Sequence, residues 1–281
     1  WVACGMNSLG ILNGAGTGMV LANWIVDGLP PIDVTGINVN RFTRCEATPA
    51  FRRDRTPELL GKLFGQHYHN ESPKTARNVK QSVLYDRLKA AGAYFTEGNG
   101  WEQPDWFAPS PEQARIERLS WHRQNWFDWH AEEHRAARED VVIMDMTTMS
   151  CFLVQGRDAC PLLSRLSCNE VDVEPGRVVY TAWTNERGGF EADLTVTRLA
   201  SDKFMVVVGE NSHGHTEMRM RRHIGTEECV TVTDVTAGRT QINVHGRKAR
   251  DLMQRVSGAD LSDSGFPFMT ARNFDVGYAD V

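Results

Sequence analysis

The chain has 281 residues, which is enough for one large domain or two smaller ones. Hydrophobic residues make up 41% and charged residues 24%, so we expect a globular protein with a sizeable apolar core. The net charge is -5, whereas nucleic-acid binders usually carry an excess of basic residues. No apolar run reaches the roughly 20 residues that span a membrane. The six cysteines form no C-x-x-C pair, which favours free thiols in a reducing compartment.

The first 45 residues begin with an apolar strand pattern at 1–5, followed by a glycine-rich segment at 10–18 and a helix at 19–26. The glycines do not form a G-x-G-x-x-G fingerprint, because Met19 and Leu21 stand where a third glycine is required. They do not form a P-loop either, because no Gly-Lys-Ser or Gly-Lys-Thr follows. Two interpretations remain open, a structural turn or a turn whose backbone N–H groups contact a cofactor.

Residues 46–110 contain one clear amphipathic helix, at 82–91, which ends at Gly92. A proline-rich loop is predicted at 98–113, and it is the best candidate for a domain boundary. Five of the eight tryptophans lie in one short stretch, at positions 101, 106, 121, 126 and 129. Large aromatic side chains dominate interface burial, which favours packing of one domain against another over an exposed stacking surface.

From about residue 111 strands alternate with helices, and this pattern predicts an α+β fold with mixed sheets. No internal repeat is evident. Both ends resemble interrupted strands, so we expect the sequence to be part of a longer chain. The predicted strands are 141–146, 151–156, 194–199, 203–209, 229–235 and 239–244, and the predicted helices are 130–138, 158–166 and 247–256.

The histidine pairs do not predict a metal site. His130 and His134 share a helix face, but Ala131 stands where a metalloprotease requires glutamate, so a solvated face is predicted. His213 and His215 lie in a predicted polar loop.

The segment that follows residue 184 is the most specific in the chain. Asn185-x-x-Gly-Gly predicts a hairpin turn, and the next strand begins with Glu191 and Asp193. A carboxylate at the beginning of a strand is a candidate proton acceptor or amine binder. The alternative is that these two side chains are simply exposed to solvent.

Residues 185–196 resemble the folate-binding domain that the T-protein (aminomethyltransferase) of the glycine cleavage system shares with dimethylglycine and sarcosine dehydrogenases. Asp145-Met-Thr-Thr-Met149, residues 175–181 and residues 266–268 also fit this domain. Residues 4–28 are similar to the end of the FAD-binding domain of amino-acid oxidase-type flavoproteins. The segments 82–92 and 100–109 are similar to the linking domain of the two dehydrogenases.

The resemblance implies three parts. These are the end of an FAD-dependent oxidoreductase domain at 1–45, a linking domain at 46–110, and the first part of a T-protein-like folate-binding domain at 111–281. It implies oxidation of dimethylglycine or sarcosine by FAD, with transfer of the one-carbon unit to tetrahydrofolate. An electron-transfer flavoprotein or oxygen is the implied electron acceptor, with no nucleic-acid or membrane partner.

The resemblance also implies residue roles. Asp193 would bind the folate amine and assist methylene transfer. The remaining cofactor contacts would come from Gly10, Ile11 and Leu12 for the flavin, and from Met149, Leu153 and Tyr180 for the folate.

Three positions depart from the relatives. Leu12 replaces the lysine of monomeric sarcosine oxidases, Ala192 replaces the first of two aspartates in T-proteins, and Gly209 replaces a common asparagine. Two alternatives stay open: a T-protein-like aminomethyltransferase without redox activity, and a catalytically silent regulatory subunit of the same architecture.

Overall fold

A computed structural model describes residues 1–68, 71–115 and 117–281. Within them the α-helices are α1 (Gly10–Asp27), α2 (Pro49–Lys62), α3 (Tyr85–Ala90), α4 (Phe127–Glu139), α5 (Ala159–Leu166), α6 (His213–Arg222) and α7 (Ala249–Val256). The strands are β1 (Ala93–Gly98), β2 (Trp101–Phe107), β3 (Val142–Asp145), β4 (Ser150–Gln155), β5 (Val178–Thr184), β6 (Phe190–Ala200), β7 (Lys203–Val208), β8 (Thr231–Asp234), β9 (Ile242–His245), β10 (Asp275–Val276) and β11 (Ala279–Asp280).

The N-terminal part differs from the sequence prediction. Residues 1–5 form no strand, and the glycine-rich segment lies inside α1 instead of forming a turn. Each helical glycine costs only about 1 kcal/mol relative to alanine, and no proline interrupts the segment. The helix ends at Gly28, whose left-handed φ of 78° lets its N–H donate to Trp24 O at 3.0 Å. No helix in the described ranges is long and apolar enough to cross a membrane.

The middle of the chain contains a helix and a hairpin that the sequence analysis missed. Helix α2 begins after Thr48, whose side chain accepts a hydrogen bond from the Phe51 N–H at 3.3 Å. Strands β1 and β2 form an antiparallel hairpin where a loop was predicted. Asn99 and Gly100 form its turn with φ values of 53° and 83°, which is the backbone geometry that Asn-Gly favours.

Three of the five clustered tryptophans pack together. Trp106 of β2 stacks on Tyr94 at 4.8 Å between ring centroids and lies 6.2 Å from Trp126 and 5.8 Å from Trp129. This aromatic cluster joins the β1–β2 hairpin to α4, so side chains on both sides of residue 110 share one apolar contact. Trp121 lies outside the cluster and packs on Tyr68.

The C-terminal part is built on a five-stranded sheet in the order β5-β6-β7-β4-β8, and its strands pair antiparallel rather than as the predicted mixed sheet. Short hairpins connect β5 to β6 and β6 to β7, which favours antiparallel pairing. Alternate strand residues and two helices, α5 and α6, form one apolar core on one face of the sheet. Its buried side chains include Phe152, Val154, Leu194, Val196, Phe204 and Val206 from the strands, and Leu162, Leu163 and Met220 from the helices.

One short sequence motif occurs at two places in the chain. In both copies a strand is followed by Gly-Arg-x-Ala and a helix, at Gly156 between β4 and α5 and at Gly246 between β9 and α7. The φ values of the two glycines are 131° and 121°. Strands β3 and β9 form a separate pair, and Ile143 and Met144 of β3 are exposed rather than buried as predicted. Near the C-terminus, β10 and β11 form a short antiparallel hairpin.

Candidate functional site

The face of the five-stranded sheet opposite the core carries the predicted folate contacts. Tyr180 pairs with Thr195, Thr195 with Val207, and Val207 with Cys151, so these four residues form one row across four strands. Residues in register on neighbouring strands point to the same face. Tyr180 is 57% exposed, whereas Cys151 at the other end of the row is buried. Along the row the side chains therefore change from exposed at Tyr180, through half-buried at Thr195 and Val207, to buried at Cys151.

Tyr180 and Asp193 are brought together as one polar pair. The Tyr180 hydroxyl donates to Asp193 Oδ2 at 3.0 Å, and this hydrogen bond raises the pKa of the Tyr180 phenol. Asp193 is exposed and has no ion-pair partner among the residues that the structure describes. Its second oxygen is free to accept a hydrogen bond from an amine, which is the chemistry predicted for it.

Met149 and Leu153 lie on β4 or just before it, two strands away from Asp193. Leu194 and Ser150 both pair with Val208, so Gly209 lies between Asp193 and Met149 at that end of the sheet. A Cβ atom on Gly209 would meet no atom within 4 Å. Leu153 pairs with Met205 at the opposite end of the face, about 15 Å from Asp193 by strand spacing and rise. These positions are therefore spread along the face of the sheet, with Met149 and Leu153 half-buried and Asp193 exposed.

The two acidic residues of the hairpin occupy different environments, which simple alternation does not predict. A β-bulge at the start of β6 leaves Glu191 without a cross-strand partner. Its side chain contacts α6, where His215 Nε2 lies 2.8 Å from Glu191 Oε2. The Glu191 side chain is therefore turned toward α6 inside the protein, and Asp193 is the carboxylate that faces solvent.

A second polar set, which the sequence analysis also missed, joins β4, α6 and β8. His213 Nδ1 lies 2.9 Å from Ser150 Oγ, and His213 Nε2 lies 3.6 Å from Asp234 Oδ2. Burial lowers the pKa of His213, while the charge of Asp234 acts in the opposite direction. Ser150 is only 1% exposed, so its hydroxyl cannot meet a substrate as a nucleophile.

The histidines form no metal centre in the described ranges. His213 and His215 belong to helix α6 and not to a loop. His130 packs against Trp126 and His134, and His134 is exposed as predicted. No group of three or more His, Cys, Asp or Glu residues in the described part of the chain could hold a metal ion.

The residues assigned to the flavin lie in the first turn of α1. The first helical hydrogen bond there runs from Asn13 N–H to Leu9 O, and no side chain caps the helix. The N–H groups of Gly10, Ile11 and Leu12 therefore have no intrahelical partner, which fits them to donate to the carbonyl oxygens of a flavin ring. Ile11 is 103% and Leu12 78% exposed, so these two side chains contribute little to a binding site within this chain.

Helix α1 contacts the C-terminal domain through its last residue. Asp27, at the C-terminal end of the helix, forms an ion pair with Arg187 on the β5–β6 turn at 3.1 Å. Eighteen helical residues span about 27 Å. This contact places the β5–β6 turn at one end of the helix, with Gly10 at the other end.

Two domain families match the chain. The family described as FAD dependent oxidoreductase central domain matches residues 27–82, and the family described as GCVT N-terminal domain matches residues 84–281. The glycine cleavage system aminomethyltransferase T from Bartonella henselae has a similar fold, with a TM-score of 0.55 at 22% identity over 71% of this chain and 48% of that chain. The predicted α+β fold, with a linking domain before a T-protein-like domain, is confirmed; the boundaries at residues 45 and 110 stay predictions.

Curated relatives are similar over nearly the whole chain. The 4-methylaminobutanoate oxidase (formaldehyde-forming) of Paenarthrobacter nicotinovorans is 37% identical over 99% of this chain and 34% of its own length. The mitochondrial pyruvate dehydrogenase phosphatase regulatory subunit of Mus musculus is 30% identical over 99% and 32%. The mitochondrial sarcosine dehydrogenase of Homo sapiens is 29% identical over 96% and 34%.

The chain spans about a third of the length of these relatives. Dimethylglycine dehydrogenases are also similar, at 28–29% identity. The GCVT match covers well over half of the chain and follows directly after the oxidoreductase match. The chain therefore belongs to the GCVT family, in the branch that joins this domain to an FAD dependent oxidoreductase central domain.

Proposed function

We propose that this chain contributes the linking and folate-binding parts of an FAD-dependent enzyme that removes a methyl group from an N-methylated amino acid. The one-carbon unit passes to tetrahydrofolate. The observation that carries the proposal is the solvent-facing Tyr180–Asp193 pair on the open face of the sheet. It is supported by the order of the two matched domains and by relatives named for oxidation of N-methyl amino acids.

The chemistry that bound FAD supplies is the two-electron oxidation of the N-methyl carbon, which leaves an iminium. Gly10, Ile11 and Leu12 would donate backbone hydrogen bonds at the carbonyl edge of the flavin. Either an electron-transfer flavoprotein or oxygen would receive the electrons afterwards.

On the folate side, Asp193 would accept a hydrogen bond from an amine of tetrahydrofolate and hold it beside the iminium carbon. In the transfer, the iminium carbon would bond to two nitrogens of tetrahydrofolate while its bond to the substrate nitrogen breaks. The two folate N–H protons, the first taken up by Asp193, would leave with the demethylated amine. Tyr180 orients the carboxylate, and Met149 and Leu153 would contact the apolar surface of the ligand. Proximity raises the transfer rate relative to attack by water, which would release formaldehyde instead.

The substrate that we propose first is an N-methylglycine, either sarcosine or dimethylglycine. The second is 4-methylaminobutanoate, which is favoured by the 37% identity to an oxidase of that name. Bacterial cytoplasm or the mitochondrial matrix is the proposed compartment, since relatives include a bacterial protein and mitochondrial ones.

The experiment uses the gene product that carries this chain. Each of the three substrates is added anaerobically, with and without tetrahydrofolate, while flavin absorbance and free formaldehyde are measured. We expect one substrate to bleach the flavin and tetrahydrofolate to suppress formaldehyde release.

A regulatory role is the second candidate, because a regulatory subunit is 30% identical over nearly the whole chain. A protein that binds flavin but is reduced by none of the three substrates would favour it. A protein that binds no flavin but transfers one-carbon units to tetrahydrofolate would instead favour an aminomethyltransferase without redox activity.

A further inference from the structure

A buried polar cluster holds the bulge at the start of β6, and the proposed chemistry does not use it. Trp183 pairs with Ala192, but Thr184 pairs with Phe190, so Glu191 is the extra residue. The side-chain period of a strand is two, so a one-residue slip moves a side chain to the other face. Such a slip in this hairpin would turn Asp193 away from Tyr180 and toward the core.

Three neighbours fix the Glu191 carboxylate. His215 Nε2 lies 2.8 Å and Arg219 Nη1 3.8 Å from its Oε2, and Asn185 donates to its Oε1 at 2.8 Å. The side chains of Glu191, His215 and Arg219 are only 15%, 17% and 10% exposed. Charges in such a site are weakly screened by solvent, and removing one partner leaves the other buried and unpaired.

The same helix also holds the strand opposite the bulge. Arg219 donates to Thr184 O at 2.5 Å, so α6 is bonded to both strands at the point where their register shifts. Asp193 lies only two residues beyond Glu191 and contacts Tyr180 instead. The Glu191 carboxylate is therefore held by α6, whereas the Asp193 carboxylate is available to a ligand.

We propose that Glu191 is a positioning residue: through His215 and Arg219 it fixes the bulge, and the bulge holds Asp193 beside Tyr180 on the ligand-facing side of the sheet. The role of Asp193 toward folate rests on the proposed function. The contact between Asp193 and Tyr180 does not, and it can be measured separately.

The test follows the titration of Tyr180 in the gene product labelled with carbon-13 at the tyrosine rings, and Tyr180→Phe assigns its signal. In the wild type the hydrogen bond to Asp193 raises the pKa of Tyr180 above the ordinary value for tyrosine. In Glu191→Ala we expect the pKa of Tyr180 to fall toward that ordinary value. In Glu191→Gln, which keeps the shape of the side chain, we expect a smaller fall.

Glu186→Gln is the matched control. Glu186 is exposed on the β5–β6 turn, and this substitution removes the same charge as Glu191→Gln. It should leave the Tyr180 titration unchanged. In the complete gene product, Glu191→Ala should reduce folate-dependent one-carbon transfer at least tenfold while flavin reduction by the substrate stays within twofold.

An unchanged Tyr180 pKa in folded Glu191→Ala would overturn the positioning role. If that variant does not fold, an unchanged Tyr180 pKa in Glu191→Gln would likewise overturn the positioning role. Absence of one-carbon transfer in the wild type would contradict the proposed function, while the tyrosine titration would still decide the role of Glu191.

Discussion

Three glycine-to-alanine substitutions test how the backbone shapes the candidate site. Gly156 ends β4, which carries Leu153, and its φ is 131°. A Cβ atom there would lie 2.0 Å from the carbonyl oxygen of Cys229. Gly156→Ala combines a φ that L residues rarely adopt with a backbone clash, so we expect a loss of about 3 kcal/mol or more in the free energy of unfolding.

The other two substitutions separate these contributions. Gly188 in the β5–β6 turn has a φ of 75° and no atom within 4 Å of a Cβ, so Gly188→Ala should cost only about 1 kcal/mol. Gly209 has a φ of -58° and equally open surroundings, so Gly209→Ala should be neutral or stabilise by up to about 1 kcal/mol. Urea unfolding followed by circular dichroism measures all three. Equal losses in the three variants would refute this reasoning.

Two further predictions concern the flavin and the response to acid. The 281-residue chain, purified after incubation with FAD, should be colourless, because Ile11 and Leu12 are exposed and α1 buries no residue; retained flavin absorbance would contradict this. Burial raises the pKa of Glu58, but hydrogen bonds from Thr75 and the Lys74 backbone outweigh it and lower that pKa to about 2. The stability from this carboxylate is therefore present above about pH 4.3 and lost as the pH falls toward 2. Glu58→Gln should cost about 2 kcal/mol at pH 7 and almost nothing near pH 2, as measured by urea unfolding at both values.

The strands of the central sheet could be predicted because their apolar residues alternate or cluster between turn residues. The predicted segments 151–156, 194–199 and 203–209 coincide with β4, β6 and β7. The hairpin turn at Asn185 was also predictable from the Asn-x-x-Gly-Gly pattern, and in the structure the Asn185 N–H donates to Gly189 O at 2.8 Å.

The helix at 19–26 was predicted and forms the C-terminal half of α1, but the first half of α1 and strand β2 were not predictable from local signals. The glycines of α1 were interpreted as a turn, although glycine only weakens a helix and the intervening residues favour it. Prolines 104, 109 and 111 suggested a loop, but Pro104 lies at the register shift of the β1–β2 hairpin, where a missing N–H is tolerated.

The candidate site was partly predictable. The resemblance placed Tyr180 and Asp193 in one pocket, and the structure joins them by a hydrogen bond. The separation of Glu191 from Asp193 depends on a bulge and on His215 of α6, which lies 24 residues further along the chain. Such long-range ion pairs leave no periodic signal in a sequence.

The central claim is that Asp193 on the open sheet face binds tetrahydrofolate. Calorimetric titration of the gene product with tetrahydrofolate tests it most directly, comparing the wild type with Asp193→Asn and with Asp202→Asn, an exposed aspartate in the β6–β7 turn. We predict saturable binding that Asp193→Asn weakens at least tenfold and Asp202→Asn leaves unchanged. Binding that is absent from the wild type, or equally strong in Asp193→Asn, would contradict the account.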